Sequence, residues 1–475
     1  MRTIYFTQFE DIPMAALSNM AVRDIETVIH PYTNLAAHRE VGPVILEEGS
    51  GIFVRDEKGK EYIEGLAGLW CTSLGYGNDE LIDAITSQLK RLSYTHIFGG
   101  KSNDMAIELA EQLKEIVPCE ASKILFCSSG SEANDMQVKL TWYYNNARGK
   151  PEKKKLISRV MGYHGVTVAS GSLTGLPPVH AEFDLPINNV LHTSNPHYYK
   201  LGKDGETEEE FTDRLVAECE ELIQHEGPDT IAAFFAEPIM GAGGVVTPPK
   251  GYFPKMQAML DQYDVRFIAD EVICGFGRTG NWFGSQTMDV KPTSVSMAKA
   301  ITSAYFPMGA ISIEEDLYQA MLDQSRKIGT FGHGYTYTAH PVAAAAAIKT
   351  LEIYKRDKII EHAAAMTPTF QKRMHALIDH PLIGNVRGEG LLGAVEIVAD
   401  KATKRSFEPA QGVGPKAVNF SMDHGLINRA VAGDSIGICP PLIITEDEIN
   451  EMFDRLERAL DDTEAWVNKE GLRAA

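Results

Sequence analysis

The sequence predicts an α/β protein built on a mostly parallel sheet with helices on both faces, plus a smaller α+β domain. Three observations carry that prediction. From about residue 122, short apolar, β-branched runs alternate with amphipathic helical patterns, as expected for parallel strands buried on both faces. Two of the runs end in an acid, Glu237 and Asp270, and open sheets of this kind collect ligand-binding groups at strand carboxyl ends. After residue 335 the pattern shifts to short strands punctuated by Gly and Pro, closed by one long helix. The expected division is an N-terminal arm and strands over 1–75 that pack with the small domain, a large α/β domain over 76–335 and a small domain over 336–475.

Residues 1–40 show few periodic apolar positions and read as an irregular arm lying over a neighbouring subunit. Gly51–Val54 and Glu61–Glu64 read as short strands joined by a turn over Asp56–Lys60, with Gly59 supplying the tight backbone. Asn78 or Asp79 opens a helix whose Leu81, Ile82, Ile85 and Leu89 recur at helical spacing. A second helix runs through Ile107, Leu109, Leu113 and Ile116 until Pro118 stops it. Lys123–Cys127, Lys155–Arg159, Thr230–Ala236 and the run ending at Asp270 are the sheet strands, and Ser128–Ser131 leads into a helix through Trp142 and Tyr143. Thr207 and Glu210 form a capping-box pattern, as do Thr445 and Glu448 before the last helix. Pro341 to Tyr354 is an alanine-rich helix.

Composition narrows the function. With a net charge of −20 there is no basic surplus for a nucleic-acid backbone or an anionic membrane. No apolar run is long enough to span a bilayer, and the first residues carry acids where a signal peptide has an apolar core. The six cysteines are scattered without a Cys-x-x-Cys pair, which argues against structural zinc and disulfides. The expectation is a cytoplasmic enzyme without a metal.

Chemistry concentrates in a few stretches. Lys299 lies among Val295, Met297, Ala298, Ala300 and Ile301, unlike a solvated surface lysine. A buried strand-end acid and a desolvated lysine suggest an aldehyde cofactor held as a Schiff base on Lys299, with Asp270 on its ring nitrogen. Ser128-Ser129-Gly130-Ser131 offers hydroxyls and free N–H groups at a helix start, suited to a phosphate, though a plain serine cap accounts for the same residues. Tyr163 in Gly162-Tyr163-His164-Gly165 is placed to stack on a planar ring, or is simply a packed loop aromatic. Glu237 either hydrogen-bonds a ligand or carries a strand-ending charge to solvent. Gly275-Phe276-Gly277-Arg278-Thr279-Gly280 has the glycine spacing of a dinucleotide fingerprint, but no helical period follows it. Gly100-Lys101-Ser102 lacks the upstream glycine and strand of a phosphate loop.

The order phosphate turn, stacking aromatic, strand-end Glu, strand-end Asp, then lysine resembles the class III, fold-type I aminotransferases that use pyridoxal phosphate, in particular the ω-transaminases. The likeness runs from Trp70 through the helix after Thr445. It is most specific in Ser129–Asp135, Gly162–Gly165, Asp270–Gly280 and Tyr335–Pro341. It implies Lys299 as the Schiff-base lysine, Asp270 on the pyridine nitrogen, Ser129, Gly130 and Ser131 around the phosphate, Tyr163 on one ring face and Val272 on the other. It implies Thr336 as a phosphate ligand from the neighbouring subunit, hence a homodimer or a tetramer with shared sites. Trp70 and Phe98 resemble pocket-wall aromatics, Phe98 from the neighbour, and Arg429 resembles a mobile arginine for substrate carboxylates. Ala300 departs from the Gly or Gln that often follows the lysine in the family, which shifts local packing.

The activity so implied passes an amino group from an amine or ω-amino acid to a keto acid such as pyruvate by a ping-pong cycle, through the pyridoxamine form of the cofactor. A dialkylamino-acid decarboxylase or an aminomutase would share every cofactor residue. A nucleotide-binding oxidoreductase rests only on the rejected glycine pattern, and a non-catalytic protein is disfavoured because Lys299 and Asp270 are both present.

Overall fold

In the computed structural model, which describes residues 17–474, the N-terminal segment is helical where an irregular arm is expected. Helices span Asn19–Thr27 and Leu35–Val41, capped by the side chains of Ser18 and Asn34. They bury only Ala21 between them within this chain. Residues 1–16 of the expected arm lie outside the described residues.

Three strands follow: β1 (Leu46–Ser50), β2 (Phe53–Asp56) and β3 (Glu61–Glu64). Asp56 closes the turn between the last two, its Oδ1 accepting the N–H groups of Lys58 and Lys60. Strand β1 is absent from the sequence reading because all five of its residues are exposed.

The central sheet holds β4 (Lys123–Cys127), β5 (Lys155–Arg159), β6 (Val190–Thr193), β7 (Ile231–Ala236), β8 (Arg266–Asp270), β9 (Ser294–Met297) and β10 (Gly309–Ile313). Its order is β4-β10-β9-β8-β7-β5-β6, with β10 antiparallel to both neighbours and the other pairs parallel. Strands β7 and β8 are buried along their whole length, as continuous apolar runs demand. Strands β6, β9 and β10 are not expected from the sequence, because His, Thr, Ser and Gly break up their apolar runs.

The last third supplies β11 (Ile383–Glu389), β12 (Leu392–Ile397), β13 (Leu426–Ile427), β14 (Arg429–Val431) and β15 (Ser435–Ile438). Four of these form an antiparallel sheet ordered β11-β12-β15-β14, whereas β13 pairs parallel to β3 and so joins the N-terminal strands to this third. The helix Glu446–Lys469 opens with the expected capping box of Thr445 and Glu448. The alanine-rich helix Pro341–Arg356 packs on helices Asp79–Arg91 and Asp104–Ile116 and on the turn Lys299–Thr302. Its Tyr354 hydroxyl donates to the Ala300 carbonyl at 2.9 Å, tying that helix to the lysine turn.

Candidate active site

Strand β8 delivers Asp270 to the carboxyl edge of the sheet, where the side chain is 4% exposed. Its Oδ2 accepts from Asn134 Nδ2 at 2.7 Å and pairs with His164 Nδ1 at 2.8 Å, and its Oδ1 accepts the Val272 N–H at 3.1 Å. Three elements thus hold one carboxylate, keeping it ready for a charge-assisted bond.

Lys299 follows β9 in a single 3₁₀ turn, at a left-handed φ of 49°. Its Nζ lies 5.2 Å from the centroid of the Trp70 ring. Burial pushes the amine below the ordinary lysine value, while the negative potentials of Cys71, Asp270 and Glu237 pull the other way. The net lowering enriches the neutral amine, the form that acts as nucleophile and base.

The helix Gly130–Ala147 begins opposite this pair. Ser129 Oγ is committed to the cap, accepting the Glu132 N–H at 3.2 Å, and the Ser129 carbonyl accepts from Ala133. The N–H groups of Gly130 and Ser131, first in the helix, have no intrahelical carbonyl to meet, the arrangement that suits an anion. Val272 sits close, since a Cβ on Gly130 would fall 3.0 Å from its Cγ1.

Tyr163 follows β5 and donates its backbone N–H to Glu237 Oε1 at 2.9 Å, while Glu237 Oε2 accepts the Gly241 N–H at 2.9 Å. Both oxygens of this buried acid therefore hold loops in place, and burial raises its pKa. Burial, Tyr32 and then the charge of Asp270 push the Tyr163 phenol above its usual value.

Ser129, Gly130, Ser131, Tyr163, Glu237, Asp270, Val272 and Lys299 all line one cavity. Trp70 is buried and covers the lysine. Arg429 stands at the edge, its guanidinium 5.7 Å from the Tyr32 ring, and among the described residues no carboxylate lies within 4.0 Å of it. Phe98 and Thr336 are not brought to this cavity. Both are exposed on a shared face, where a Cβ on Gly334 would meet the Phe98 ring at 2.8 Å and Tyr94 donates to the Thr336 carbonyl at 2.8 Å.

Asn134, His164 and Tyr32 are site residues that the sequence reading passed over. Asn134 stands one turn into the helix Gly130–Ala147 and His164 beside Tyr163, so motif neighbourhood alone could have raised both. Tyr32 stacks edge-on against Tyr163 with centroids 6.4 Å apart, a contact without local signal. The glycine-rich loop after Asp270 opens no helix before Gly284. Its Arg278 is buried and donates to the carbonyls of Leu391 and Pro440, so the loop anchors the C-terminal third.

Residues 35–460 match the family model for aminotransferase class-III. The chain is 47% identical to gamma aminobutyrate transaminase 3, chloroplastic, of Solanum lycopersicum, over 93% of this chain and 85% of that protein. It is also 47% identical to gamma-aminobutyrate transaminase 1, mitochondrial, of Oryza sativa subsp. japonica, over 93% and 85% respectively. Among solved structures it resembles the omega transaminase from Pseudomonas jessenii in complex with PMP, at 48% identity and a TM-score of 0.93, covering 95% of this chain and 99% of that one. A thermostable omega transaminase variant engineered for asymmetric synthesis of enantiopure bulky amines matches at 49% identity and a TM-score of 0.93, covering 94% and 100%.

Proposed function

The chain belongs to the class-III aminotransferases, and from that premise we propose that it moves an amino group from a primary amine or ω-amino acid to a keto acid such as pyruvate, in two half-reactions at one site. The observation that carries this reading is the desolvated Lys299 amine over the Trp70 ring, sharing a cavity with an Asp270 held by Asn134 and His164. Decarboxylase and aminomutase readings are not favoured, because the relatives compared above are named as transaminases.

We take the cofactor to be pyridoxal 5'-phosphate, alternating with its pyridoxamine form. The donor set fits it: two unpaired helix N–H groups for a phosphate, a carboxylate for a protonated ring nitrogen, and an aromatic and a valine for the ring faces. When bound, it supplies an aldehyde that takes up the amino group and a ring that holds the electron pair left on the substrate carbon. Lys299 Nζ takes the proton from the amine-bearing carbon of the donor, and in the second half-reaction it delivers one to the keto-acid carbon. Asp270 would hold the ring nitrogen through a charge-assisted hydrogen bond. Trp70 and Tyr163 exclude water from the lysine, and Arg429 pairs with a substrate carboxylate.

We further propose a homodimer. Phe98 and Thr336 sit together, exposed, outside their own chain's cavity, as residues destined for a neighbour's site would. A cytoplasmic setting accords with six free cysteines, although the plant relatives are named as mitochondrial and chloroplastic. Among the described residues no helix is long and apolar enough to cross a membrane.

The deciding experiment supplies cofactor and pyruvate and compares 4-aminobutyrate, β-alanine and 1-phenylethylamine as donors, counting alanine formed. Alanine in step with loss of donor supports the reading. Carbon dioxide released in step with donor loss, or turnover without any acceptor, would overturn it.

A further inference from the structure

We propose that Asp24, His30 and His38 form a binding site for a divalent transition-metal ion of the zinc type, outside the aminotransferase cavity. Asp24 lies in the helix Asn19–Thr27, His38 in the helix Leu35–Val41, and His30 in the link between them. Both imidazoles turn Nε2 toward the same oxygen, Asp24 Oδ2, at 2.8 Å from His30 and 3.3 Å from His38. The two rings lie 4.1 Å apart between centroids, tilted by 33°. All three donor atoms fall within 4.8 Å of one another.

Zinc takes imidazole nitrogen and carboxylate oxygen at about 2.0–2.2 Å, which puts tetrahedral donors roughly 3.3 Å apart. The present spacing is close to that, so an ion enters with shifts on the order of 1 Å. Without an ion, the cluster asks one carboxylate oxygen to accept from two rings at once. A divalent ion serves all three donors at once. Side-chain exposures of 17% for Asp24, 29% for His30 and 9% for His38 leave a path for entry and room for a water ligand. Two imidazoles and one carboxylate favour zinc, nickel or copper over magnesium or calcium, which prefer all-oxygen shells.

The location gives the ion a consequence. Tyr32 comes two residues after His30, at a left-handed φ of 53°, and its ring meets both Tyr163 and Arg429. An ion joining both helices to the link fixes the segment that brings Tyr32 to the rim of the cavity.

The test uses the cofactor-loaded enzyme, stripped with a chelator and desalted, then dialysed against zinc chloride with metal counted per chain. Wild type is expected to take up one zinc per chain saturably and to show a melting temperature that rises with zinc concentration. His38→Ala and Asp24→Asn should each weaken uptake at least tenfold and abolish the zinc-dependent rise. No saturable uptake by the wild type, or uptake unchanged in both variants, overturns the site and leaves a hydrogen-bonded cluster. Should His38→Ala lose its folded circular dichroism, His38→Gln replaces it and is held to the same outcomes.

Discussion

The carboxylate of Glu64 accepts the backbone N–H of Gly68, and that bond pins the loop that carries Trp70 over the Lys299 amine. The loop is strained: Ala67 and Trp70, neither of them glycine, have φ values of 47° and 59°. Left-handed residues of this kind cost roughly 1–3 kcal/mol each and persist only where their surroundings hold them. The Trp70 indole N–H has no partner among the described residues, so its own hydrogen bonding does not place the ring. Glu64→Ala should therefore release the loop and lower kcat by about tenfold or more, since misplacing a site group by an ångström costs on that order or above. Glu64→Gln keeps an acceptor for Gly68 and should retain most activity. Equal activity in wild type and Glu64→Ala would remove Glu64 from the positioning of Trp70.

The same residue sets a pH dependence of stability. Burial pushes the Glu64 carboxyl up to about 7, partly offset by its bonds to Gly68 and Leu66, and burial pushes Glu271 up to about 7 as well. In the unfolded chain each ionises near 4.3. Between those values the folded chain keeps a proton that the unfolded chain has released, so the proton-linked stability is full below about 4 and is lost as pH rises through 7. The loss is roughly 3–4 kcal/mol for Glu64. Glu64→Gln has no proton to lose, so its stability relative to wild type should rise by about that amount between pH 4.5 and pH 8. Chemical denaturation at the two pH values measures it, and a pH-independent difference would contradict the assignment.

Arg429 lies against Tyr32 with no carboxylate partner among the described residues, a charge free to meet a substrate. A hydrogen bond to a charged group is worth about 1.5–3 kcal/mol, so Arg429→Ala should weaken the pyruvate half-reaction by roughly 10- to 150-fold. The half-reaction with 1-phenylethylamine, which has no carboxylate, should change by less than about threefold, under 0.7 kcal/mol. Single-turnover cofactor absorbance separates the two. Equal losses in both half-reactions would end the role of Arg429 as a carboxylate clamp.

What could be read in the chain was local. Strand-end acids, the caps at Asn78, Thr207 and Thr445, and the phosphate turn each show within a few residues, because capping and strand burial are short-range. The order of those motifs then carried the fold and most of the cavity lining. Contacts made by remote segments did not show. His164 reaches Asp270 across 106 positions, and Tyr32 meets Tyr163 only because the N-terminal helices fold back. Strand β1 exposes all five of its residues, so no apolar alternation marks it. The glycine pattern after Asp270 misled for the opposite reason: turns and anchoring loops use glycine as freely as nucleotide sites do.

Gly165 tests the phosphate cradle directly. Its φ is 130°, and a Cβ there would lie 2.4 Å from Ser170 Oγ, 2.5 Å from Ser131 Oγ and 2.8 Å from the backbone Cα of Ser131, closer than real atoms approach. Gly165→Ala must therefore displace Ser131, whose N–H group is one of the two that no helix carbonyl satisfies. Cofactor affinity should fall at least tenfold, about 1.4 kcal/mol, by equilibrium dialysis against pyridoxal phosphate. Gly149 supplies the control, since it also has positive φ, 73°, but nothing lies within 4 Å of its added Cβ. Gly149→Ala carries the backbone strain without the collision and should bind cofactor as wild type does. If the two variants bind alike, Ser131 has no part in holding the phosphate.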